Sequence, residues 1–235
     1  MTKTAFVAIV GKPNVGKSSL LNKMLGQKIA IVSSKPQTTR TKIMGVLTKG
    51  ETQLVFTDTP GFHKAHNKLG EKMNEAVGDT VGGVDACLFL TEPRGELNEQ
   101  ELQLLEMFKK QKMPVILAIN KIDMINDKEE LFKRIVYLTS FYDFTAVVPV
   151  SATEGDHVDE LIDELDKLAF ESPHFFPDDT LTDQPERVLA AEIIREKILR
   201  LMDKEIPHGI AVAVDRKSTR LNSSHVALSR MPSSA

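Results

Sequence analysis

Eight residues near the amino terminus, Gly11-Lys12-Pro13-Asn14-Val15-Gly16-Lys17-Ser18, have the spacing G-x-x-x-x-G-K-[ST]. Glycines at the two fixed positions let successive backbone N–H groups turn inward around a polyphosphate, and the positive end of a following helix strengthens that field. In such a loop Lys17 reaches the β- and γ-phosphates and the Ser18 hydroxyl is a Mg²⁺ ligand. From the residue frequencies of this chain, on the order of 0.01 matches to that spacing arise by chance, so a random glycine turn is a poor account of it. Asp58-Thr59-Pro60-Gly61 follows the apolar stretch Leu54-Val55-Phe56-Thr57. A carboxylate at that strand end can hold the same Mg²⁺ from the other side, usually through water, and Gly61 lets its N–H approach a γ-phosphate. Alone, Asp-x-x-Gly is an ordinary turn. Asn120-Lys121-Ile122-Asp123 follows another apolar stretch, 115–119. Asp123 can accept from the N1–H and the N2 amine of guanine, whereas adenine lacks that donor pair and would leave a buried carboxylate unpaired. Lys121 can lay its stem over the base, and Asn120 can tie neighbouring loops together. Val150-Ser151-Ala152-Thr153 ends a further strand, where the Ala152 N–H can meet the guanine O6.

These groups need a scaffold that brings several strand ends to one place. From Ala5 to about Phe170 short apolar runs alternate with helical patterns, which predicts an α/β fold with a mostly parallel sheet flanked by helices. Strands are expected at 5–10, 42–49, 53–57, 85–91, 115–120 and 146–150, and helices at 17–25, 68–79, 98–111, 128–141 and 158–170. Residues 172–185, with three prolines and three aspartates, read as a linker. A second unit follows: Ala191, Ile194, Ile198 and Leu201 share one face of a helix over 186–204 while Glu192, Glu196, Arg200 and Asp203 point elsewhere, and 210–214 reads as a strand. The expected division is 1–171, a nucleotide-binding domain; 172–185, a linker; 186–215, a fragment too small to build its own core; and 216–235, a Ser/Arg-rich tail.

Composition excludes several classes. With 41% hydrophobic residues in 235 and a net charge of −3, the chain is not disordered as a whole. No apolar run reaches the roughly 18 residues that span a bilayer, and no signal-peptide stretch follows Met1, so a cytoplasmic location is expected. Cys87 is the single cysteine; a disulfide framework is excluded, and its apolar neighbours suggest a buried, unreactive thiol. Residues 216–235 hold four basic and no acidic side chains, so the other 215 residues carry 26 basic against 33 acidic, a net −7. The Ser-rich tail reads as solvated and disordered.

The four motifs, in this order and each after an expected strand, resemble the GTP-binding core of the translation-factor-related branch of P-loop GTPases, from Thr4 to Phe170. Within that branch Lys35-Pro36-Gln37-Thr38-Thr39-Arg40, Asp58-Thr59-Pro60-Gly61-Phe62-His63, Asp183-Gln184-Pro185-Glu186-Arg187 and Glu192-Ile193-Ile194-Arg195-Glu196-Lys197 are similar to the Era/TrmE-type GTPases, and specifically to the Era family of bacterial ribosome-assembly GTPases. The resemblance implies GTP and GDP as ligands, hydrolysis of GTP to GDP and phosphate, and Mg²⁺ as cofactor. It places Gly11, Lys12, Pro13, Asn14, Val15, Gly16, Lys17, Ser18 and Ser19 around the phosphates, with Asp58, Thr59, Pro60, Gly61 and Phe62 on the γ-phosphate side. Asn120, Lys121, Asp123, Ser151 and Ala152 surround the base. Lys17, Gly61 and Thr39 carry the catalytic roles, and Ser18, Asp58 and Thr39 the Mg²⁺, with adjacent Thr38 as the alternative to Thr39. Asn14 matches relatives in which an asparagine helps hold a monovalent cation, K⁺; a loop-closing hydrogen bond is the alternative. Phe62 stands where Ras-like proteins have a water-orienting glutamine, so intrinsic turnover is expected to be slow. His63 and His66, two loop histidines without further ligands, read as solvated.

Further implied partners are 16S rRNA and the assembling 30S subunit, with peripheral contact at the cytoplasmic face of the membrane. Relatives carry a carboxyl-terminal KH domain whose GxxG loop clamps RNA. Here the first KH helix and strand are recognisable, but no GxxG occurs after Gly83, and from Arg216 the sequence resembles translated adapter sequence more than a KH domain. A truncated reading frame with impaired RNA binding is the expectation, a natural basic extension the alternative. Other GTPases of the branch, or a P-loop ATPase without an RNA role, are the competing classes, and Asp123 disfavours the latter.

Overall fold

The central strands are apolar on both faces, so the sheet they form has to be covered on both sides. In the computed structural model, which describes residues 1–32, 43–58, 83–201, 210–214 and 226–230, that is the arrangement. The strands are β1 (Lys3–Val10), β2 (Ile43–Lys49), β3 (Thr52–Asp58), β4 (Ala86–Thr91), β5 (Val115–Ile119), β6 (Ala146–Pro149) and β7 (Phe170–Glu171). They form one seven-stranded sheet in the order β2-β3-β1-β4-β5-β6, with β7 also on β1. Neighbours are parallel except β2, antiparallel to β3, and β7, antiparallel to β1.

Helices α1 (Lys17–Leu25) and α4 (Val158–Asp166) pack on one face, and α2 (Glu99–Gln111) and α3 (Lys128–Thr139) on the other. The alternation along β4 shows how the faces divide: Leu88 and Leu90 join Leu20, Leu21 and Leu161, while Cys87 and Phe89 join Leu104, Phe108 and Leu138. Cys87 is buried, and burial pushes its thiol up to about 12, which keeps it protonated and inert. Asn98 and Glu101 close a reciprocal capping box at the start of α2.

All six expected strands of the first unit form within one or two residues of their expected ends, and α1 spans 17–25 as expected. The helix expected at 68–79 lies outside the described residues. A correction concerns 158–170: α4 ends at Asp166, and Phe170–Glu171 becomes a strand against Thr4 and Lys3. Because β4 pairs with β1 only from Val7 onward, the edge at Lys3 and Thr4 is open, and backbone pairing there outweighs the helical pattern.

The linker is docked along the sheet. Buried Gln53 accepts from the Phe175 and Phe176 N–H groups (2.9 and 3.0 Å) and donates to the Phe176 carbonyl (2.9 Å). Thr182 Oγ1 donates to the Met44 carbonyl (2.7 Å), the Val46 N–H donates to the Leu181 carbonyl, and the Phe175 ring meets Phe6 edge-on. Beyond it stand α5 (Glu186–Leu201) and a hairpin of β8 (Ile210–Val214) and β9 (Val226–Arg230). The expected amphipathic division of α5 is not the one observed. Glu196, expected to point away from the apolar face, is fully buried and ion-paired to Lys28 at 2.6 Å, whereas Leu201 is 81% exposed. The Lys28 ammonium, on the loop after α1, offsets part of the cost of desolvating that carboxylate. The strand β9 falls within the tail expected to lack structure; its short Val226-x-Leu228 alternation is too brief to register as a strand pattern.

Candidate nucleotide site

β1 lies where the chain changes direction: β3 and β2 are added on one side of it and β4, β5 and β6 on the other. Ligands of open α/β sheets bind beyond the carboxyl ends of the strands at such a point. The registers bring the expected motifs there. Ile9 stands beside Asp58, Val10 beside Phe89, Thr91 beside Ile119 and Ile119 beside Pro149. Gly11, Asp58, Asn120 and Val150, one residue from each of the four motifs, thus stand at the same end of the sheet.

The first loop closes tightly around its own backbone. Gly11 has φ +150° and a Cβ there would lie 2.4 Å from the Leu90 carbonyl oxygen; Gly16 has φ +104° and its Cβ would lie 2.2 Å from Asn120 Nδ2. Only glycine fits either place. Asn14 takes the left-handed conformation (φ +62°), which asparagine tolerates. Gly16 is also the cap of α1 and brings no side chain to accept from the first-turn N–H groups, so that end of the helix points its positive pole into the loop. Buried Lys17 folds back across the loop mouth, donating to the Gly11 and Lys12 carbonyls, both at 3.0 Å.

Asn120 ties three segments together. Its Nδ2 donates to the Val15 carbonyl (2.8 Å) and its Oδ1 accepts from the Ala152 N–H (3.0 Å), linking the phosphate loop to the loop after β6. Lys121 is left-handed (φ +68°) and Asp123 lies on the short 3₁₀ turn Ile122–Met124. The Ser151 hydroxyl donates to Asp123 Oδ1 (2.6 Å) and accepts from the Glu154 N–H (3.2 Å), which fixes one oxygen of the carboxylate. Asp123 is exposed, so the buried carboxylate expected from sequence is not what the structure shows. One oxygen of this exposed carboxylate is thus anchored, and an acceptor held this way can meet two neighbouring donors.

Sequence reasoning missed two residues here. Glu92, just past β4, accepts from Lys121 Nζ at 2.6 Å and pairs with Lys12 Nζ through its other oxygen. Burial pushes the Glu92 carboxyl up, but the hydrogen bonds and charges of the two lysines outweigh it and hold it below the ordinary carboxylate value. Arg134, on α3, donates to the Glu92 carbonyl (3.1 Å), the Thr91 hydroxyl (2.9 Å) and the Gly95 carbonyl, and lies over the Tyr137 ring. Burial lowers its pKa from the ordinary arginine value. No motif spacing marks either residue; the only signal for Glu92 was a polar residue directly after an apolar strand at the same edge.

Of the expected site residues, Gly11 to Ser19, Asn120, Lys121, Asp123, Ser151 and Ala152 come together, and Asp58 ends β3 beside Ile9. Thr38, Thr39, Thr59, Pro60, Gly61, Phe62, His63 and His66 lie outside the described residues. Next to the assembled loops, a cavity of about 650 Å³ is lined by Ser19, Asn22, Lys23, Lys28, Val32 and Ala152 among others.

Residues 6–121 match a family model described as a 50S ribosome-binding GTPase. A crystal structure of Era in complex with MgGDPNP and nucleotides 1506–1542 of 16S ribosomal RNA is 39% identical, with a TM-score of 0.85 over 92% of this chain and 73% of that one. The same values hold for a tyrosine-to-alanine variant of Aquifex aeolicus Era bound to GDP and AlF4⁻. A probable GTP-binding protein engB, 20% identical with a TM-score of 0.52 over 70% of this chain and 98% of that one, shares the fold. With its strand ends gathering a phosphate loop, a tied asparagine and an anchored aspartate, and with this identity across nearly its whole length, the chain belongs to the Era family of P-loop GTPases.

Proposed function

We propose that this GTPase works as a nucleotide-dependent switch at small-subunit rRNA, with hydrolysis centred on Lys17 and Mg²⁺ and guanine read by Asp123. The observation that carries the reading is the joining of Asn120, the phosphate loop and Ala152 in one hydrogen-bonded unit beside the Ser151–Asp123 pair. A triphosphate held by the loop places its base over this unit. Lys121 covers the ring, Asp123 takes the N1–H and N2 amine, and the Ala152 N–H lies near the O6 position.

The glycine-lined cradle and the hydroxyl and carboxylate donors available at Ser18 and Asp58 suit a hard divalent ion. Ser18 and Asp58, with Thr39, would hold Mg²⁺, which neutralises charge on the β- and γ-phosphates when bound. Lys17 exchanges its two carbonyl partners for phosphate oxygens and stabilises the charge that develops on the transferred group. The family resemblance assigns the Gly61 N–H to the γ-phosphate. The Phe62 side chain has no polar atom with which to orient water, so turnover is slow without an activator. Asn14 supports a K⁺ beside the phosphates; hydrolysis then runs faster in potassium than in sodium, and Asn14→Ala removes the difference.

The division into a G domain (1–171), a docked linker (172–185), a KH fragment (186–215) and a foreign tail (216–235) follows the same reading. Family resemblance supports 16S rRNA and the 30S subunit as partners, a cytoplasmic location and peripheral membrane contact; among the described residues no helix is long and apolar enough to cross a membrane. Arg216, Lys217, Arg220 and Arg230 meet RNA as point charges, without base readout. Titration with RNA carrying or lacking the 3′ end of 16S rRNA, at two salt concentrations, tests this. Weak binding that ignores sequence and falls steeply with salt is expected of this chain; tight, selective binding that survives high salt contradicts the point-charge reading.

A further inference from the structure

Glu92 belongs to none of the four motifs, yet it joins two of them. Its Oε1 accepts from Lys121 Nζ at 2.6 Å and its Oε2 pairs with Lys12 Nζ. The three side chains are each between a quarter and a third exposed, so the pairs are partly shielded from water. Lys12 sits in the phosphate loop and Lys121 in the base-contacting loop. One carboxylate therefore holds two like charges that would otherwise repel at close range.

The backbone that carries Glu92 is fixed in turn. Arg134, buried beneath it, donates to the Glu92 and Gly95 carbonyls and to the Thr91 hydroxyl, and Thr91 ends β4 in register with Ile119. The carboxylate thus stands on a rigid strand end, while Lys121 stands on a left-handed residue whose long side chain has many rotamers.

We infer that Glu92 is a positioning residue for guanine nucleotide binding: it orders the Lys121 side chain so that its stem lies across the base plane before the nucleotide arrives. The inference rests on the guanine reading of the site. Without the carboxylate the Lys121 ammonium is driven off by Lys12, and the nucleotide must order that side chain itself.

Glu92→Gln keeps shape and hydrogen-bonding capacity but removes the charge. It is expected to raise the GDP dissociation constant about tenfold, the weakening typical of losing a charge-assisted contact at a partly exposed site. Inorganic tripolyphosphate, which lacks a base, should bind no more weakly, because loss of the Glu92 charge leaves Lys12 free to meet phosphate. In a Lys121→Met background, which keeps the stem and removes the ammonium, Glu92→Gln should no longer weaken GDP binding. For GTP hydrolysis, KM should rise while kcat moves less than twofold. A GDP affinity within twofold of the parent, an equal loss for tripolyphosphate, or an undiminished effect in the Lys121→Met background overturns the assignment. Comparing GDP with ADP on the parent protein separates this from the guanine reading itself: equal affinities there refute the base assignment whatever Glu92→Gln does.

Discussion

Replacing Asn120 by alanine removes a side chain that bonds the phosphate loop to the loop after β6. Asn120 is 2% exposed, Val15 0% and Ala152 8%, so the substitution leaves a buried carbonyl and a buried N–H without their partner. Each orphaned buried group costs about 1–3 kcal/mol, and water entering the space left by the side chain brings the pair toward the low end, about 3 kcal/mol in total. Denaturant unfolding of the nucleotide-free protein should register that loss as a lower midpoint at constant slope. Binding suffers separately, because loops no longer tied before the ligand arrives must be ordered by it. A penalty of about 2 kcal/mol corresponds to about a 30-fold rise in the GDP dissociation constant. Fluorescent GDP titration under conditions where the variant is folded reads this directly. An unchanged unfolding midpoint together with GDP affinity within threefold of the parent would refute the claim that Asn120 is the tie between the half-sites.

Gly16→Ala should be at least as damaging, since its Cβ falls 2.2 Å from Asn120 Nδ2 at a left-handed backbone; retained GDP binding would show that the loop can rearrange around it. Lys17→Ala should cost orders of magnitude in single-turnover GTP hydrolysis while Phe62→Ala costs less than threefold; equal losses would mean that Phe62 shapes the reacting centre. His174 has both ring nitrogens on acceptors, the Glu51 carbonyl (3.0 Å) and Asp178 Oδ1 (2.7 Å), and these raise its pKa above the ordinary 6.5. Its stabilisation of the docked linker is complete below 6.5 and is lost as pH rises through the higher folded value. The stability difference between parent and His174→Ala should therefore shrink from pH 6 upward, and a flat difference would contradict it.

The sequence made legible the parts of the site that depend on local spacing. Gly11 to Ser18 announces itself because two glycines and a Lys-Ser pair must stand at fixed intervals to turn a backbone around phosphate, and Asp123 because it directly follows an apolar strand and an Asn-Lys pair. Strands buried on both faces also read plainly, since β5 and all of β4 but its last residue, Thr91, are uninterrupted apolar runs. Features set by tertiary proximity did not show. Glu92 meets Lys12 across 80 residues, and Arg134 reads as one more charge on a surface helix although three acceptors close around it. Phe170–Glu171 pairs with β1 where β4 leaves that edge open, and Glu196 is buried where Lys28, far away in sequence, meets it.

The central claim is guanine selectivity through the Asp123 carboxylate anchored by Ser151. Competition of unlabelled GTP and ATP against fluorescent GDP, in Mg²⁺ and on the full chain, tests it most directly. A site built to hydrogen-bond donors that adenine lacks should favour GTP by at least about a hundredfold, and Asp123→Asn should shift preference toward xanthosine nucleotides, whose 2-oxo group suits an amide donor. Displacement by ATP and GTP at equal concentrations would contradict the account.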